Sequence, residues 1–146
     1  VVGSLAVRET DRVLGWIERF GPDRITVALD ARQDQSGAWR LPTAGWTQDS
    51  AVELEWLVQR FADGGLRHLL CTDIARDGML AGPNLALYRH LAKRAPGLSV
   101  QASGGVRDIG DIEGSRDAGC AGAVLGKALI EGRFALGDAL RRTRAC

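Results

Sequence analysis

The stretch ITVALD, residues 25–30, is apolar up to a terminal carboxylate and is followed by Ala31-Arg32, not by G-x-G-x-x-G. Its continuous apolar character predicts a strand buried on both faces of a parallel sheet. Three further runs are of the same type: residues 66–73 (LRHLLCTD), 98–103 (LSVQAS) and 122–126 (GAVLG). Helical periodicity fills the intervals. Residues 11–20 place Val13, Trp16, Ile17 and Phe20 on one face and stop at Gly21-Pro22. Asp49-Ser50 offers a cap for a second helix striped by Leu54, Leu57, Val58 and Phe61 and closed by Gly64-Gly65. Asn84 caps a third, with Leu87, Tyr88, Leu91 and Ala95 inward. Residues 108–118 form a fourth, ending at Gly119, and residues 137–145 a short Arg-rich fifth.

Strict alternation of strand and helix implies parallel strands with right-handed crossovers. The choice lies between an open doubly wound sheet and a (β/α)8 barrel. A doubly wound dinucleotide fold carries G-x-G-x-x-G after its first strand, and here that motif is absent. Functional-looking residues fall instead at the C-terminal ends of several strands: Gly3-Ser4, Asp30, Thr72-Asp73, Ser103-Gly104-Gly105 and Gly126-Lys127. That distribution is the barrel pattern. VVGSLAV (residues 1–7) also echoes VLGKALI (residues 124–130) four strand–helix units later, which suggests two duplicated halves. A complete barrel takes about 250 residues. The 146 residues therefore predict one C-terminal half-barrel over residues 1–146, from the end of the fourth strand through the eighth helix, with the other half cut away before Val1.

Composition narrows the function. Lys+Arg 19 against Asp+Glu 18 gives a net charge of +1, without the clustered basic excess that nucleic-acid or membrane-surface binding needs. No apolar run approaches the roughly 18 residues of a membrane span, and no basic leader is visible. Cys71, Cys120 and Cys146 stand at unrelated spacing, far in sequence from His68 and His90. That argues against a zinc site or disulfide framework and for a reducing, cytoplasmic setting.

The strand ends carry the chemistry. Glycine lets the backbone approach a phosphate, and free N–H groups at a helix start favour an anion. Gly104-Gly105 and Gly126-Lys127, on adjacent strands, therefore predict a phosphate site. Either cluster alone is more simply a tight turn. Gly3-Ser4, the echo of Gly126, predicts a second phosphate site across the barrel, suited to a ligand phosphorylated at both ends. Asp30 is a candidate general acid or base; capping a loop or pairing with Arg32 is the alternative. Thr72 and Asp73 must point to opposite sides of the sheet, and Thr72 facing the centre orients a carboxylate or a substrate hydroxyl. Asp77-Gly78 has the composition of a turn. Residues 31–48 are long for a connection that usually takes roughly 2–6. Trp39 there packs the loop down, whereas Trp46 is placed to stack on a flat heterocycle. Trp56 falls opposite the apolar stripe of its helix, which predicts exposure. His68 and His90 read as structural or solvated.

The set VVGSLAV, ALDAR, Gly45-Trp46, LLCTDIARDG, LAGPN, QASGGVRDI and VLGKALIEGRF closely resembles the C-terminal half of the HisA-type isomerases of histidine biosynthesis, along essentially the whole chain. The resemblance implies a (β/α)8 barrel of two similar halves. It implies a cofactor-free Amadori aldose-to-ketose rearrangement of a bis-phosphorylated aminoimidazole carboxamide ribotide. Asp30 then matches the general acid that opens the sugar ring, and Thr72 the threonine that assists it. Gly104, Gly105, Gly126 and Lys127 match one phosphate site, with Asp77 among the substrate-binding residues. Gly3 and Ser4 match part of the other site, and Trp46 the stacking tryptophan. The family's first-strand Asp, the base for the C2 proton, has no counterpart in this sequence. Met79 stands where Thr is common, and Lys127 where Arg is frequent. The related cyclase barrel, a bifunctional isomerase that also takes phosphoribosylanthranilate, and an inactive half-barrel are the competing readings. Expected partners are the missing half or a second copy of the chain, with no metal, nucleic acid or membrane.

Overall fold

The computed structural model describes residues 1–42 and 50–143. Its parallel strands are β1 (Thr26–Gln33), β3 (His68–Asp73), β4 (Ser99–Ser103) and β5 (Gly122–Ala123). A short β2 (Trp39–Arg40) runs antiparallel to β1, giving the sheet order β2-β1-β3-β4-β5. Val2 makes a further parallel bridge to Val27 of β1, with Val2 N–H donating to the Thr26 carbonyl at 2.8 Å. The parallel strands follow one another in chain order with no reversal. A doubly wound sheet reverses its order at a switch point, so the observed order is that of a singly wound, barrel-type segment.

The helices are α1 (Ser4–Arg8), α2 (Thr10–Phe20), α3 (Leu54–Asp63), α4 (Leu85–Arg94), α5 (Ile109–Asp117), α6 (Lys127–Ile130) and α7 (Leu136–Thr143). Apolar residues of α2, α3 and α4 form one buried cluster with Val27, Leu29, Leu69, Cys71, Val100 and Ala102 of the strands. Each large side chain fully buried there contributes about 1.5–3 kcal/mol by leaving water. Asn84 caps α4 as its sequence position predicts, its side chain accepting from Leu87 N–H at 3.1 Å. Asp108 does the same for α5.

Several sequence expectations need correction. The strands are not buried on both faces. In β1, Val27, Leu29 and Ala31 are buried while Thr26, Ala28 and Asp30 are half-buried, and β4 alternates in the same way up to Ala102. Helices cover one face, and the opposite face lacks such a cover among the described residues. Residues 31–48 are not all loop: β1 continues to Gln33 and returns through β2. At the hairpin tip, hydrogen bonds from Ser36 and Arg40 hold the Asp34 carboxyl well below the usual carboxylate range. Ser50 does not cap α3, which starts at Leu54. Its hydroxyl donates to the Leu41 carbonyl at 2.6 Å and ties the two ends of the segment together. Asp49 lies outside the described residues. Phe20 is 48% exposed, because α2 turns its last position past the sheet, and the Arg19 guanidinium lies 5.2 Å from its ring. The strand expected at residues 122–126 pairs only over Gly122–Ala123. The last helix starts one residue earlier than expected, at Leu136, while the end of the expected helix, residues 144–145, lies outside the described residues.

The face of α2 is open to direct test. Ile17, 2% exposed, should lose about 2–5 kcal/mol on Ile17→Ala. Phe20→Ala should cost less than about 1 kcal/mol, mostly the cation–π contact. Urea midpoints at constant slope check both, and equal losses would place Phe20 in the core after all.

Candidate functional site

Parallel register brings the strand-end residues together. Asp30 of β1 lies beside Thr72 of β3, and Thr72 beside Ser103 of β4. Partners in register project to the same face, here the half-buried face that also bears Ala28, Leu70 and Gln101. Neighbouring strands lie about 4.8 Å apart, so an acid and two hydroxyls form one continuous row. Thr72 and Ser103 are buried and Asp30 is half-buried. Asp73 pairs in register with Ala31 and belongs to the helix-covered face, as the strand period requires.

One strand over, Asp77, Gly78, Leu80, Ser103, Gly104, Gly105, Val106, Val124, Gly126 and Lys127 line a cleft of about 70 Å³. The two glycine clusters and Asp77, separate in sequence, thus share one small concavity that opens beside the Asp30–Thr72–Ser103 row. Gly104 and Gly105 have φ +93 and +89, in the region where a side chain is strained. They are also tightly packed: a Cβ on Gly104 would lie 2.9 Å from the Asp73 carbonyl oxygen, and one on Gly105 2.4 Å from that of Gly82. Glycine at both positions therefore lets the backbone of two loops approach closely. Lys127 is about half-exposed at the mouth, 3.8 Å from Glu131.

Gly3 sits at the other edge of the sheet, after Val2 and beyond β1. It opens α1 with φ −92 and ψ −117, and Gly126 opens α6 with φ −107 and ψ −108. The sequence echo is thus an echo of backbone conformation as well. Ser4 is exposed. Trp46 lies outside the described residues. Trp39 is buried in β2 and belongs to the core, and Trp56 is 56% exposed. His90 is exposed, 3.3 Å from Glu55, and His68 is half-buried, 3.6 Å from Asp23.

Sequence reasoning missed how the row is fixed. Tyr88 of α4 is fully buried, and its hydroxyl accepts from Ser103 N–H at 3.0 Å and donates to the Ser103 carbonyl at 2.8 Å. The Cys71 carbonyl is 3.2 Å away, so one hydroxyl pins the ends of β3 and β4. Burial pushes the Tyr88 hydroxyl and the Cys71 thiol up, and the Cys120 thiol up to about 11. These groups stay protonated near neutrality and are packing elements. Among the described residues, no group of three or more His, Cys, Asp or Glu is placed to hold a metal ion, and no helix is long and apolar enough to cross a membrane.

The histidine biosynthesis protein family matches residues 1–135. A Stenotrophomonas maltophilia protein is 63% identical over 140 residues, which cover 96% of this chain and 57% of the relative. A Xanthomonas campestris protein is 58% identical over 140 residues with the same coverage. A Xylella fastidiosa protein is 57% identical over 141 residues, covering 97% of this chain and 52% of its own length. All three are named 1-(5-phosphoribosyl)-5-((5-phosphoribosylamino)methylideneamino)imidazole-4-carboxamide isomerase. The chain spans about half the length of these relatives.

The packing at Gly105 can be separated from its backbone conformation. Gly37 has φ +85 but open space around it, so Gly37→Ala should cost about 1–2 kcal/mol from conformation alone. Gly105→Ala adds a clash with the Gly82 carbonyl and should cost at least about 2 kcal/mol more. Denaturant midpoints of the two variants measure the difference, and equal values would mean that the loops yield freely.

Proposed function

We propose, on the premise that this chain belongs to the histidine biosynthesis protein family, that residues 1–146 are the second half of a (β/α)8 barrel. The completed barrel is a cytoplasmic isomerase that converts an aminoaldose ribotide into its aminoketose. The relatives' name carries two phosphoribosyl groups; the glycine-lined cleft and the Gly3-Ser4 turn offer one anchoring point for each phosphate of such a ligand. The observation that carries the reading is the Asp30–Thr72–Ser103 row beside the glycine-lined cleft. A phosphate at the cleft and one at Gly3-Ser4 would be three to four strand spacings apart, roughly 14–19 Å along the sheet. The row of polar side chains stands between them, where the reacting sugar carbon of such a ligand would be held.

The steps follow from these positions. Asp30 gives its proton to the ring oxygen as the bond from that oxygen to C1 breaks, and the nitrogen lone pair forms C1=N. Thr72, between Asp30 and Ser103, orients the carboxyl and a sugar hydroxyl. A base then takes the C2 proton, and the released pair forms C1=C2 while nitrogen is neutralised. Loss of the proton from the C2 hydroxyl and gain of one at C1 complete the ketose. No electrons enter or leave, so the chemistry is acid–base throughout. Among the described residues no second carboxylate shares the row, since Asp73 belongs to the other face. The family resemblance assigns that base to an aspartate of the first strand, in the other half of the barrel. Trp46 is assigned to stacking on the imidazole.

Asp30→Asn in the complete protein should lower kcat by about 10²–10⁴-fold with KM little changed. Near-normal turnover would remove Asp30 as the acid. The chain alone, with one sheet face half-exposed and strand edges open to pairing, should self-associate at micromolar concentration or regain activity only with the residues that precede it in its gene. A clean monomer by sedimentation, active by itself, would overturn this half-barrel reading.

A further inference from the structure

Asp73 and Asn84 take no part in the steps above, yet they make a tightly constrained polar contact near the cleft. Asp73 ends β3 on the helix-covered face and is 3% exposed. A carboxylate there costs several kcal/mol unless its oxygens are satisfied. Asn84 Nδ2 donates to one oxygen at 2.8 Å and Ala75 N–H to the other at 3.0 Å, with Arg76 Nε 3.6 Å away. Asn84 is committed at both ends of its amide, because its Oδ1 accepts from Leu87 N–H to cap α4. These two residues bound the segment 74–83, so their hydrogen bond closes that loop into a ring.

The ring carries one wall of the cleft. Asp77 N–H donates to the Asp73 carbonyl at 3.1 Å, and Gly104 is packed against both atoms. Arg76 Nη1 donates to the Gly82 carbonyl at 2.9 Å, and Gly82 N–H donates to the Gly105 carbonyl at 2.8 Å. Leu80, which lines the cleft, is held at φ +51. Such a conformation persists where surrounding contacts over-determine it. Neither Asp73 nor Asn84 lines the cleft, so any influence on a ligand passes through the position of Asp77, Gly78 and Leu80.

We propose that Asp73 and Asn84 are positioning residues, whose hydrogen bond sets the width of the phosphate cleft for the substrate; this rests on the cleft being the anion site of the proposed isomerase. Releasing the bond lets the Asp77 turn move off Gly104 and weakens phosphate binding while the Asp30 row is untouched. The defect belongs in KM, not in kcat.

The test uses the full-length protein, with substrate KM, kcat and competitive inhibition by inorganic phosphate as readouts. Asn84→Asp sets carboxylate against carboxylate, and should raise KM and the phosphate Ki about 10-fold, with kcat within about 3-fold. The exchange Asp73→Asn with Asn84→Asp should restore both. An amide at position 73 then donates to a carboxylate at position 84, while the remaining oxygens still accept from Ala75 and Leu87 N–H. Asn84→Ser, which keeps a capping oxygen but removes the amide Nδ2 that reaches Asp73, should also raise KM and serves if the carboxylate pair prevents folding. Unchanged KM in Asn84→Asp or Asn84→Ser, or an exchange as impaired as the single change, overturns the proposal. Lys127→Ala separates the two readings. A raised phosphate Ki there beside unaltered Asn84 variants rejects the positioning role alone, and an unaltered Ki there rejects the cleft as the anion site.

Discussion

The parallel register of β1, β3 and β4 is the constraint from which the site follows. Residues 30, 72 and 103 share a row only because Thr26 pairs with His68 and His68 with Ser99 at the far end of the same strands. A slip of one residue would move every side chain to the opposite face. Leu29, Leu69 and Val100 would then leave the helices, and Asp30 would enter the apolar layer beneath them. Burial of the apolar set thus fixes the polar set, and the Tyr88 hydroxyl reinforces it where the strands end.

The same constraint separates two aspartates of like chemistry. Asp30 and Asp73 are one step apart in register and on opposite faces. One is half-buried in the row that faces away from the helices. The other is enclosed and fully hydrogen-bonded, where a carboxylate can hold a loop but cannot meet a ligand. Strand period alone assigns these environments.

Much of this was legible in the sequence. The cap at Asn84, the glycine stops, the alternation of strand and helix from β3 onward and the separation of Thr72 from Asp73 all rest on local rules, and all appear in the fold. The echo between residues 1–7 and 124–130 also survives as matching backbone angles. Alternation within ITVALD was harder to see, because Ala28 is apolar yet belongs to the half-buried face. The β1–β2 hairpin has a turn signal at Asp34-Gln35-Ser36-Gly37, but its return strand, Trp39–Arg40, is too short to show a strand pattern. The Asp73–Asn84 bond joins residues 11 apart through a loop whose path no local pattern states. Tyr88 was readable as a buried face residue, but its hydroxyl partners are set by tertiary packing.

Gly3 and Gly126 give the sheet one repeated corner. Its first and last parallel segments each end at a glycine, with φ −92 and ψ −117 at Gly3 and φ −107 and ψ −108 at Gly126, and each leads into a short helix. One local solution thus turns strand into helix at both borders of the sheet, and a glycine stands at the bend in each case.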